Sequence, residues 1–172
     1  RLNKDITTDS ILAMGFADGS PIESIANLDQ VERDRVVGNL IELMLHELFT
    51  LNMVQTDANF ANYRYQHETG KVVLLDFGAT RRFTPDFVAK YRNLIKAILT
   101  DDEGQIITAA ENVGYVINGV HPVYRQLLID IFGLIGEVLR AEEPYTIKGA
   151  RLSARMTEKT LAMKDYRDDW RA

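Results

Sequence analysis

Cysteine is absent from this chain of 172 residues, which excludes disulfides, thiolate metal centres and a cysteine nucleophile. Histidine is scarce: His46, His67 and His121 stand too far apart to form a metal motif. We read His46, within an apolar helical stretch, as a core or interface residue, and the other two as surface residues. No apolar run reaches the roughly 18–20 residues that span a bilayer. The longest, Leu40 to Val54, is broken by Glu42, His46, Glu47 and Asn52. An excess of positive charge is missing too: net charge is −5 and pI about 5.2, with signs interspersed. Nothing therefore favours nucleic acid or a polybasic membrane anchor. No signal-peptide pattern, repeat or low-complexity stretch occurs. The chain opens at Arg1 without a Met, and we expect a fragment or a processed product.

With 46% hydrophobic residues, the chain is expected to bury one good core as a single domain. Ser10–Phe16 reads as a buried strand, followed by the turn-forming run Asp18-Gly19-Ser20-Pro21. Asn27 with Gln30, or Asp29 with Glu32, can cap a helix from about residue 29. Apolar residues at 36, 40, 41, 44, 45, 48 and 49 extend it to about Leu51. Tyr63–Tyr65 and Lys71–Leu75 flank a turn at residues 67–70 and read as a hairpin. Thr84-Pro85 starts a helix to about Leu99, with Phe87, Tyr91, Leu94, Ile95 and Ile98 inward. Further helices are expected from Asp101 or Asp102 to about Gly114, from Pro122 to Arg140, and from Ser153 to about Asp165. The fold expected is mainly α with a small β-hairpin.

Residues 53–78 carry the chemistry. Asp57 is followed five positions on by Asn62, and 19 residues on by Asp76, in the sequence Leu74-Leu75-Asp76-Phe77-Gly78. An Asp-x-x-x-x-Asn loop and a strand ending in Asp-Phe-Gly form the metal and phosphate half of a protein-kinase-like site. Either motif alone is common; both at this spacing, after a long helix and around a hairpin, point to MgATP. Asp57 is the candidate catalytic residue, able to orient or deprotonate an attacking hydroxyl. Asn62 and Asp76 are the candidate metal ligands, since magnesium takes few protein oxygens when nucleotide and water complete its shell. Asn59, Phe77 and Gly78 are candidate nucleotide contacts, although Asn59 could equally cap its own loop. Met14 and Phe16 would be contacts if the Leu12–Phe16 stretch is an adenine-binding hinge rather than an ordinary strand. Gln55 and Thr56 stand where protein kinases carry His-Arg. Arg81 and Arg82 fit a solvated surface better than a phosphate site.

The segments 53–62 and 73–81 resemble the ABC1/UbiB (AarF-domain, ADCK-like) family of atypical kinases. That family has a Gln-Thr-Asp-x-Asn-x-x-Asn loop and a Leu-Leu-Asp-Phe-Gly-Ala-Thr-Arg strand end. Gly19-Ser20-Pro21-Ile22 is similar to its Gly-x-Pro-Leu, and Gly136-Glu137 and Glu143-Pro144-Tyr145 match more weakly. The resemblance implies a protein-kinase-like C-terminal lobe covering residues 1–172, from a parent with an α+β kinase fold. It also implies ATP and Mg²⁺ as cofactors, and a part in ubiquinone (coenzyme Q) biosynthesis. Lipid or quinone-precursor molecules and quinone-biosynthesis proteins are the partners it suggests. The place would be peripheral to the bacterial inner membrane from the cytoplasm, or the mitochondrial matrix side in a eukaryote. Gly15 stands where the family's hinge acid aligns. The Lys-x-Gly-Gln segment, alanine-rich nucleotide loop and phosphate-holding Lys and Glu of the family's N-terminal half have no counterpart, nor does its helical tail. The expectation is a C-lobe that completes its site with an N-lobe of the same protein. Other classes remain open: a non-catalytic nucleotide- or lipid-binding regulatory module, or an antibiotic-kinase-type phosphotransferase. Gln55, in place of the usual histidine, counts against the last.

Overall fold

The computed structural model describes residues 2–57, 59–116 and 120–170. The chain divides into two compact units, Arg1–Phe83 and Thr84–Ala172.

In the first unit Asp29 caps the long helix: its carboxylate accepts the Glu32 N–H at 2.9 Å, and α1 spans Gln30–His46. Three short strands form one antiparallel sheet in the order β1 (Ser20–Pro21), β3 (Tyr63–Gln66), β4 (Lys71–Leu74). The expected hairpin is β3–β4, in register Tyr63↔Leu74 to Gln66↔Lys71. A second, two-stranded sheet pairs β2 (Met53–Gln55) with β5 (Thr80–Arg82). The Ser20–Pro21 segment lies on the hairpin, with Ser20 opposite Tyr65. Gly19 makes this possible: its φ is +140°, and a Cβ there would come within 3.1 Å of both Arg64 Cβ and the Tyr65 carbonyl oxygen.

Ile22, Val36 and Tyr65 form the buried cluster of this unit, with Leu40 and Val72 against it. The apolar stripe of α1 is thus less buried than its spacing predicts. Val36 is its one buried residue among those described, while Ile41, Met44, Leu45 and also His46 are exposed. Strands of two to four residues are too short to cover more of the helix than the stretch around Val36 and Leu40.

The buried strand expected at Ser10–Phe16 is not formed. Met14 makes one isolated bridge with Leu2, and Leu12 and Phe16 are 65% and 93% exposed. Local side-chain bonds take over its backbone: Thr8 Oγ1 accepts the Ser10 and Ile11 N–H groups, and Thr7 Oγ1 accepts that of Ala13. Hydroxyls that satisfy nearby amides in this way compete with a strand ladder.

The second unit is helical: α2 Pro85–Thr100, α3 Glu103–Val113, α4 Pro122–Leu139 and α5 Leu152–Ala162. A 3₁₀ segment, Met163–Trp170, follows α5. The expected caps hold: Thr84 accepts from Phe87 N–H, Asp102 from Gln105 N–H, and Gly114 ends α3 at φ +100°. Leu94 and Ile98 are buried as predicted, together with Val88 and Ala97, while Phe87, Tyr91 and Ile95 are half-buried. His121 caps α4, and His67 sits in the hairpin turn; both are exposed. Among the described residues no helix is long and apolar enough to cross a membrane.

Candidate nucleotide and metal site

The final turn of α1 widens into a π-helical turn, Glu47–Leu51, and stops at Asn52 in the left-handed region, φ 52°. Asparagine tolerates that conformation better than a branched residue, and it redirects the chain into β2. There the Asn52 carbonyl accepts the Phe83 N–H at 2.8 Å, opening the β2–β5 pairing. β2 delivers Asp57 to the surface, two residues past its end.

The loop then tightens into one 3₁₀ turn, Phe60–Asn62. Asn59 caps it: its side-chain oxygen accepts the Ala61 N–H at 3.0 Å, and its carbonyl accepts the Asn62 N–H at 3.0 Å. Of the two roles open to Asn59, the cap is the one its oxygen performs here.

Asn62 and Asp76 are brought to the same end of the hairpin. Tyr63 pairs with Leu74, and the Leu75 N–H donates to the Asn62 carbonyl at 2.9 Å. Asp76 is therefore one residue beyond a bond that fixes the Asn62 backbone. Asp76 Oδ1 accepts the Gly78 N–H at 2.7 Å, folding the carboxylate over its own turn. A Cβ on residue 78 would lie 3.1 Å from that oxygen, a tight approach that the carboxylate would have to turn slightly to relieve. Asp76, Phe77 and Gly78 are all exposed, and Asn62 is half-buried.

Gln55 and Thr56 join the two arms. Thr56 donates to the Ala79 carbonyl through both its N–H, at 3.1 Å, and its hydroxyl, at 2.6 Å. Gln55 Nε2 donates to the Asp76 carbonyl at 2.6 Å, and its Oε1 accepts the Asp57 N–H at 3.2 Å. Glu47 reaches from the π-helical turn, and its carboxylate accepts the Gln55 N–H at 3.1 Å. Glu47 was not singled out from sequence. The available signal was a carboxylate in the last turn of a helix that runs straight into the loop. Burial pushes the Tyr63 phenol pKa up, and the negative charges of Glu47 and Asp57 push it further in the same direction.

A family model, the ABC1 atypical kinase-like domain, matches residues 1–110. The chain belongs to the ABC1 atypical kinase-like family. It is similar to the mitochondrial atypical kinase coq-8 of Caenorhabditis elegans, 29% identical over 167 residues, covering 95% of this chain and 22% of that protein. It is 30% identical over 152 residues to the mitochondrial atypical kinase COQ8B of Rattus norvegicus, covering 88% of this chain and 29% of that protein. With the mitochondrial atypical kinase COQ8 of Saccharomyces cerevisiae identity is 33% over 139 residues, covering 80% of this chain and 28% of that protein. The chain thus spans less than a third of the curated relatives it matches.

The donor set fits the metal that an ABC1 kinase-like domain implies. Asp76 offers an anionic oxygen and Asn62 a neutral one, the hard ligands magnesium prefers. Among the described residues no three His, Cys, Asp or Glu side chains converge, so these groups build no all-protein cage. Magnesium in nucleotide sites needs none, because phosphate and water supply most of its shell. Met14 and Phe16 are not drawn into this arrangement: Met14 pairs with Leu2, and the Phe16 side chain is almost wholly exposed.

Proposed function

We propose that this chain is the catalytic-loop and metal-binding lobe of an ABC1-type atypical kinase or ATPase acting on MgATP. The observation that carries the reading is the bonding of the Asn62 and Asp76 arms at one end of the hairpin, beside an exposed Asp57. Asp57 would orient the attacking hydroxyl or water and take up its proton, and Asn62 and Asp76 would hold magnesium. When bound, magnesium neutralises charge on the phosphate oxygens. Phe77 and Gly78 would border the phosphates, and Met14 and Phe16 would contact adenine once another lobe of the same protein covers them. That the chain spans less than a third of its relatives supports such a lobe.

Relatives named as mitochondrial COQ8 kinases lead us to place the parent in ubiquinone biosynthesis, peripheral to a membrane. Its partners would be lipid or quinone-precursor molecules, or other proteins of that synthesis.

The test is thermal unfolding of the full-length protein with ATP, in Mg²⁺ and in EDTA. Ligand at about 100 times its dissociation constant stabilises by roughly 2.7 kcal/mol. We expect a Mg²⁺-dependent shift that Asp76→Asn abolishes. A shift of equal size in the variant would overturn the metal assignment.

A further inference from the structure

We infer that Gln55 is a positioning residue, a side-chain strap that sets the separation of the Asp57 and Asp76 arms. The inference rests on the functional reading above and extends it to a residue that touches neither metal nor nucleotide in that reading.

Asp57 and Asp76 are both exposed, so packing cannot hold either carboxylate in place. Their spacing has to come from bonds between the backbones that carry them. Gln55 makes one bond to each: Oε1 accepts the Asp57 N–H, and Nε2 donates to the Asp76 carbonyl. The amide orientation is fixed by these partners. Rotating it by half a turn would set donor against donor at Asp57 and acceptor against acceptor at Asp76. Gln55 itself is half-buried and doubly anchored, by the β2–β5 register at Thr80 and by Glu47, which accepts its N–H. One rigid group therefore reads the position of both arms.

The chemistry selects glutamine. Its amide ends in one acceptor and one donor, which an N–H and a carbonyl require together. Leucine of similar size offers neither, and glutamate offers only acceptors. Thr56, next to Asp57 in the chain, adds a parallel tie of its own, its N–H and hydroxyl both donating to the Ala79 carbonyl. A misplacement of about 1 Å at such a site can cost about a hundredfold in rate, so a strap of this kind acts on turnover more than on binding.

The test uses the full-length protein with Gln55→Leu and Gln55→Glu. Hydrogen exchange is followed at the Asp57 amide and at Gly78 to Thr80. In Gln55→Leu both regions should exchange faster, by up to about tenfold, as expected for a lost hydrogen bond. In Gln55→Glu only the Gly78 to Thr80 region should loosen, because Oε1 can still accept from Asp57. Exchange unchanged at either arm in Gln55→Leu, or the same pattern in both variants, would overturn the strap. If Gln55→Leu fails to fold, the one-sided response of Gln55→Glu decides alone. Kinetics supply the second readout: kcat with MgATP should fall about a hundredfold in Gln55→Leu, with KM changed far less. A change confined to KM would assign Gln55 to binding and overturn the positioning role. Absence of Mg²⁺-dependent ATP binding in the unaltered protein would defeat the nucleotide reading, while exchange would still report on the strap.

Discussion

Among the described residues of Arg1–Phe83 the buried hydrophobics are Ile22, Val36 and Tyr65. In Thr84–Ala172 a single cluster takes in Leu94, Ile98, Ile106, Ala110, Tyr124 and Phe132, with others around them. The first unit relies instead on directed polar bonds: Asp29 on its helix, Arg64 donating to the Gly19 carbonyl, and Gln55 and Thr56 between the loop and the Asp-Phe-Gly turn. Hydrogen bonds fix direction but contribute only about 0.5–1.5 kcal/mol each, whereas burial is strong and non-directional. The candidate site therefore sits where geometry is set by local polar bonds, and the helical unit is where burial is concentrated.

The sharpest way to separate the two is to remove chemistry without touching stability. Asp57→Asn keeps the size of the exposed side chain and its backbone bond to Gln55. Turnover with MgATP should fall by about 10²–10⁴, the range for a lost acid–base group, while the unfolding temperature stays put. Unchanged turnover in the variant would remove Asp57 from the catalytic role, whereas ATP binding without turnover in the unaltered protein would favour a non-catalytic regulatory module.

The converse change removes stability without touching chemistry. Leu94 is 1% exposed at the centre of the α2–α4 core. Leu94→Ala should cost about 2–5 kcal/mol, by lost burial and the cavity left behind. Denaturant titration would measure it, and Val36→Ala in the first unit should cost less, since its buried cluster is so small. Equal losses would contradict the comparison.

A smaller effect is expected from Gly19→Ala. The substitution forces a φ of +140° on a residue with a Cβ, against backbone of Tyr65 that cannot move aside cheaply. We expect a loss of about 1–3 kcal/mol, read from the same titration. An unchanged midpoint would show that β1 re-seats on β3 freely.

These contrasts also explain what could be read from the residues alone. Asp29, Thr84-Pro85, Asp102 and Gly114 act through neighbours within a few positions, so the helix ends were legible. The hairpin was legible for the same reason, and with it the meeting of Asn62 and Asp76. The stripe of α1 misled because periodicity shows which face is apolar, not whether anything covers it. Ser10–Phe16 misled because Thr7 and Thr8 offered its amides a local alternative. Gln55 looked like a lost histidine. Its proposed role rests on a side-chain bond back to the Asp57 N–H two residues on, and on a tertiary bond to Asp76 that no local pattern contains.

The smallest effect tests whether polar bonds matter in the helical unit too. α5 has no buried residue among those described, and two ion pairs tie it to α4. Arg155 donates to Glu137 at 2.8 Å, beside the Tyr145 hydroxyl, and Lys159 donates to Asp130 at 2.7 Å. The Arg155 hydrogen bond is the main cause holding the Glu137 carboxyl below its usual pKa, and the Lys159 bond does the same for Asp130. Depressed carboxylate pKa values mean that the folded state binds fewer protons than the unfolded one. The stabilisation is thus fully present above the ordinary carboxylate range and is lost as pH falls through the lowered folded values. All four side chains are partly exposed, so solvent and salt screening keep the contribution small. Unfolding temperatures taken from pH 7 to 2 should decline less steeply in Asp130→Asn/Glu137→Gln than in the unaltered protein, and high salt should narrow the gap. Identical slopes would mean that Met163 and Tyr166, packed on the core beyond α5, hold this end of the chain without the charges.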